Sequence, residues 1–160
     1  MLIGLLVLKQ RKRVVLEKDA IVVEAPTTKS EQEFKTRRRI TLRGLIGIFS
    51  EPKLLSPFHF PLLAMQIFLH KLLRWAVGFL VLFNLLTCIV LAGIPFFGFF
   101  LTLHLVFYLA AAFGWILEQN NKSVALFKVP YYFCLVNLAA TLGLTDFLKK
   151  KQAVSWKPVR

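Results

Sequence analysis

The chain has 160 residues, a hydrophobic fraction of 57%, a mean hydropathy of +0.64 and a formal net charge of +13. It therefore joins the apolar character of a membrane protein to the basicity of a nucleic-acid binder. Position separates the two. Lys and Arg number 14 from Met1 to Trp75 and seven afterwards, five of them from Lys149 onwards, so the charges flank apolar runs and form no basic folded face. That distribution excludes a nucleic-acid partner and points to the anionic surface of a lipid bilayer.

In chain order, "MLIGLLVL" is apolar but short and is followed by basic residues, which predicts a buried or amphipathic helix and not a signal peptide. "RVVLE" and "AIVVE" are β-branched runs joined by a turn-prone "KDA", the pattern of two short strands. Residues 1–25 are then expected to be an α/β remnant too small to bury its own core. Residues 26–56 follow as a basic, membrane-proximal linker helix region holding Arg37, Arg38, Arg39 and Arg43.

Residues 57–75 read as an interfacial amphipathic helix. Gln66, His70 and Arg74 fall four apart, with Lys71 beside them, so a helix gathers them on one side against Leu62, Leu63, Ile67, Leu69, Leu72 and Leu73. Trp75 is expected at headgroup depth. No Lys, Arg, Asp or Glu occurs from Trp75 to Leu117, and Pro95 divides that run into two stretches, 75–94 and 96–117. Each is about twenty residues, enough to cross a hydrocarbon core as a helix. A third stretch, 129–148, contains Asn137 and Asp146 and is expected to be transmembrane or re-entrant. A basic tail, 149–160, closes the chain. Three full crossings would set this tail opposite the basic first half, against the tendency of Lys and Arg to stay cytoplasmic.

Cys88 and Cys134 lie far apart in apolar segments and are read as buried thiols. His59, His70 and His104 share no metal-ligand spacing, and His104, Asn84 and Asn137 are read as polar contacts between packed helices. The fold class expected is a mainly α membrane protein: an interfacial helix plus two to three transmembrane helices, after a short α/β remnant.

The ordered segments "RVVLEKDAIVVEAPTT", "EFKTRRRITLRGL", "HKLLRW", "PYYFCLVNLAATLG" and "VSWKPVR" resemble the C-terminal membrane region of bacterial family 2 glycosyltransferases, over nearly the whole chain. The resemblance implies that the α/β remnant belongs to a GT-A nucleotide-sugar domain, with Glu24, Pro26 and Thr27 at its closing turn. It places Thr36 to Ile40 where the family carries a Gln-x-x-Arg-Trp motif, although Thr36 and Ile40 replace its Gln and Trp. Arg38, Arg39 and Arg43 are then the candidates to grip a nucleotide diphosphate, since arginine holds phosphate oxygens in a bidentate, permanently charged fork.

No Asp-x-Asp motif is present, and Asp19 and Asp146 are the only aspartates. No residue of this chain is therefore assigned as general base, and no metal or other cofactor is assigned to it; the resemblance implies a divalent metal, Mg or Mn, in the full-length enzyme. The expectation is a truncated or split product at the bacterial inner membrane, its basic N-terminal part cytoplasmic. It would anchor a transferase that moves sugar from a nucleotide-sugar donor to a lipid-linked or polysaccharide acceptor, once a separate chain supplies the GT-A half. The alternative is a small, non-enzymatic integral membrane protein that binds anionic lipids or a protein partner.

Overall fold

The computed structural model describes residues 2–10, 12–15, 17–23, 29–122 and 124–151. Its elements are helices: α1 (Leu2–Lys9), α2 (Ser30–Phe49), a 3-10 turn (Pro52–Leu55), α3 (Pro61–Ile67), a π-helical stretch (Phe68–Leu73), α4 (Arg74–Val90), α5 (Pro95–Gln119) and α6 (Ala125–Leu148). They fall into two compact units, Met1–Arg74 with Leu142–Arg160, and Trp75–Thr141.

In the first unit, α2 starts with Glu31 and Glu33 in its first turn, where the positive end of the helix dipole favours carboxylates. Lys35 and Arg37 each bond the glutamate four residues earlier. Its second half turns apolar, and Thr41, Leu42, Leu45 and Ile48 are buried. Arg38, Thr41, Leu45 and Ile48 follow the three-and-four spacing of a single stripe, so one face of α2 is committed to packing. The chain then folds back through the 3-10 turn, where Leu54 is fully buried.

Pro61 and Pro95 each stand at the first position of a helix, where the missing N–H costs nothing. The residues before them, Phe60 and Ile94, are non-helical, as a following proline demands. The expected turn before Pro95 is present: α4 ends at Val90 and α5 begins four residues beyond its neighbour Leu91. The third helix, α6, begins four residues before the expected 129, and Pro130 lies inside it. Its absent N–H withdraws one bond near the helix start, a loss membrane helices tolerate.

Three helices are long and apolar enough to cross a membrane: Pro61–Val90, Pro95–Gln119 and Ala125–Leu148. Only 6% of the most apolar window of Pro95–Gln119 is buried in protein, against 11% and 17% for the other two. A helix apolar on all sides and left uncovered needs an apolar medium, and these surfaces fit a lipid bilayer.

The second unit is held by close helix contacts. A Cβ on Gly114 of α5 would lie 2.9 Å from the Tyr131 Cβ of α6, so glycine permits that approach. Phe107 meets Phe133 edge to face at 5.5 Å. His104 Nε2 donates to Asn84 Oδ1 at 2.7 Å, joining α5 to α4 as expected of these two polar residues. Asn137 differs, since its Nδ2 donates to the Phe133 carbonyl of its own helix. Cys88 and Cys134 are free thiols, buried and half-buried respectively.

One expectation needs correction. Among the described residues there is no strand: Val14, Val15, Ile21, Val22 and Val23 lie exposed and unladdered. A β-branched run becomes a strand only against a partner edge, and a lone pair of short strands is marginal in water. The helix runs unbroken from Pro61 to Val90, while the two compact units divide between Arg74 and Trp75.

Candidate functional site: an arginine helix fastened to the end of α6

Helix α2 places its arginines on two faces. Arg37 Nε donates to Glu33 Oε1 at 2.6 Å, one turn earlier on α2 itself. Arg38 points the other way. Its Nε donates to Asp146 Oδ2 on the last turn of α6 at 2.6 Å, across 108 residues of sequence. The Asp146 side chain is only 8% exposed, whereas Arg38 keeps 38%. A carboxylate this deep in an apolar helix needs a cationic partner, and Arg38 supplies the nearer fork. The hydrogen bond to Asp146 holds the Arg38 guanidinium above its ordinary pKa.

The second partner comes from the end of α6. Lys150 adopts a left-handed conformation, φ 52°, which ends the helix. Its N–H bonds the Phe147 carbonyl and the N–H of Lys151 bonds the Asp146 carbonyl, the pattern of a helix C-terminal closure. That closure brings Lys151 Nζ to 2.8 Å from Asp146 Oδ1. Both carboxylate oxygens are thus engaged.

Packing supports the charge contact. A Cβ on Gly143 would fall 2.7 Å from the Arg38 carbonyl oxygen and 2.8 Å from Thr41 Cβ, so only glycine lets α2 and α6 approach this closely. Phe49 stacks on Phe147 with ring centroids 5.2 Å apart. No buried side-chain nitrogen or oxygen among the described residues lacks a hydrogen-bond partner.

Of the three arginines expected to grip a diphosphate, Arg38 is therefore spent on an internal ion pair. Arg39 is half-buried and forms no ion pair among the described residues, and Arg43 is exposed. Lys35, Arg39 and Arg43 recur every four residues and form a cationic stripe turned away from the packed face of α2. Glu24, Pro26 and Thr27 lie outside the described residues, as does the "VSWKPVR" segment.

Gln66, His70, Lys71 and Arg74 are all exposed, as the polar stripe requires. Phe68–Leu73 forms wider i→i+5 turns, which take back part of the drift that residues four apart accumulate in an α-helix. Gln66, His70 and Arg74 thereby stay on one side. Trp75 is 7% exposed and covered by protein.

Sequence reasoning noted Asp146 as an oddity in an apolar segment but did not pair it with Arg38. The available signal was chemical: a lone carboxylate in such a helix calls for a cation, and the arginine cluster is the densest source. No group of three or more His, Cys, Asp or Glu among the described residues is arranged to hold a metal ion. Comparison with protein-family models, with curated proteins and with solved structures finds no match to the chain.

Proposed function

We propose that this chain is the membrane-anchoring C-terminal part of a family 2 glycosyltransferase at the bacterial inner membrane, with α2 on the cytoplasmic side. The observation that carries the reading is the fixed presentation of a basic helix against the end of α6. Arg38 and Gly143 lock α2 in place, and the same lock turns the stripe of Lys35, Arg39 and Arg43 away from the packing face. A rigid arginine helix at the bilayer surface suits the binding of a nucleotide diphosphate leaving group at a site completed by a GT-A domain. Arg39 is the residue on which that role falls first, Arg38 serving instead to hold the helix. The chain's own part is anchoring and phosphate recognition. A divalent metal and the general base belong to the GT-A half.

The occupation of Arg38 by Asp146 favours a second reading, in which the stripe serves anionic lipid headgroups alone and the protein is not an enzyme. Arg39→Lys separates the two, because lysine keeps the charge but loses the bidentate fork. In the assembled transferase, Arg39→Lys is expected to lower sugar transfer by tenfold or more while binding to anionic vesicles is unchanged. Unaltered transfer would remove Arg39 from the site and leave the lipid reading.

A further inference from the structure

Arg38 precedes the three apolar helices and Asp146 stands in the last turn of the third, yet their side chains meet at 2.6 Å. Such a contact does not reach across a hydrocarbon core about 30 Å thick. The ends of the pair therefore share one side of the bilayer. The charges agree independently. Lys35 to Arg43 and Lys149 to Lys151 are basic, Lys122 and Lys128 border the start of α6, and the turn Leu91–Ile94 carries no charge at all. Three complete crossings would separate Lys149–Lys151 from Arg38, against both the contact and the cytoplasmic preference of Lys and Arg.

We infer that α2, the α5–α6 connection and the end of α6 all lie on one face of the membrane, with only the Leu91–Ile94 turn on the other. Pro61–Val90 and Pro95–Gln119 are then the two crossings, and α6 is the apolar helix that does not complete one. Its composition fits this assignment: its most apolar stretch of 18 residues has a mean hydropathy of 1.4 against 2.0 for each of the others, and Lys128 and Asp146 stand near its two ends. Asp146 thereby acts as a clasp that fixes topology. It returns the end of α6 to the arginines of α2 and counters the pull of an apolar helix to go through. The inference needs no glycosyl transfer and stands or falls without it.

The test is cysteine accessibility in sealed vesicles of known orientation, using the full chain with Cys88→Ser and Cys134→Ser. Single cysteines are placed by Lys35→Cys, Gly93→Cys, Lys122→Cys and Lys150→Cys, all at exposed positions, and labelled with a membrane-impermeant maleimide before and after permeabilisation. Lys35→Cys, Lys122→Cys and Lys150→Cys are expected to react from one side and Gly93→Cys from the other. Lys150→Cys reacting from the side opposite Lys35→Cys would overturn the shared face. Lys122→Cys reacting with Gly93→Cys would overturn the assignment of α6. A C-terminal alkaline phosphatase fusion reports the side of the α6 end without any cysteine: inactivity accords with the inference, and activity contradicts it.

Discussion

Asp146, 8% exposed on its side chain, is held by both Arg38 and Lys151. Removing its charge by Asp146→Asn leaves Arg38 without its partner on a packed face. A fully buried pair broken on one side costs about 3–5 kcal/mol, and partial exposure of Arg38 reduces the expected loss to roughly 1–3 kcal/mol. Thermal unfolding in detergent micelles measures it. The exchange Arg38→Asp with Asp146→Arg is expected to recover part of the loss, whereas a purely steric role predicts that the two changes add. Lys151 is more than half exposed on its side chain, so Lys151→Ala is expected to cost under about 1 kcal/mol. At this scale the sequence was half legible. The arginines announced themselves as a cluster, but the choice of Arg38 over Arg39 depends on which face of α2 packs. That choice was set by Thr41, Leu45 and Ile48 further along the helix.

Two helix contacts invite tests of a different kind. Gly143 allows α2 and α6 to touch, and Gly143→Leu is expected to destabilise the first unit by about 1–3 kcal/mol through overpacking. The same readout checks this, with Gly93→Leu as control, since a Cβ on Gly93 meets nothing within 4 Å. In the second unit, Asn84→Leu removes the bond to His104. Polar contacts between membrane helices average about 0.6 kcal/mol, so a shift of a few degrees in Tm or less is expected. A much larger loss would mark His104 as more than a helix tie. Element by element, helices were the readable part. Uncharged apolar runs and the dividing Pro95 placed the end of α4 and both ends of α5 to within a few residues. The β-branched runs misled, because strand formation depends on a neighbouring edge that no local pattern reveals. The π-helical stretch was equally hidden, as nothing in "FLHKLL" distinguishes wider turns from ordinary ones.

For the molecule as a whole, length and hydropathy announced three membrane-length helices, and charge placement announced a conflict over how they cross. The conflict could not be resolved from composition, since each apolar run taken alone satisfies the length of a span. A single long-range ion pair, Arg38 with Asp146, joins the basic helix to the end of the last apolar one, changes that balance and commits Arg38 to architecture. Service of this architecture in sugar transfer is the proposal most in need of a direct test. The most direct measurement is to capture the tagged chain from its own membranes in mild detergent and supply radiolabelled UDP- and GDP-sugars with Mg or Mn. Incorporation into lipid or polysaccharide is then counted. Transfer that accompanies the captured chain, and falls tenfold or more when the captured chain carries Arg39→Lys, is the expected result. Capture of the intact membrane assembly with no transfer from any donor would contradict it.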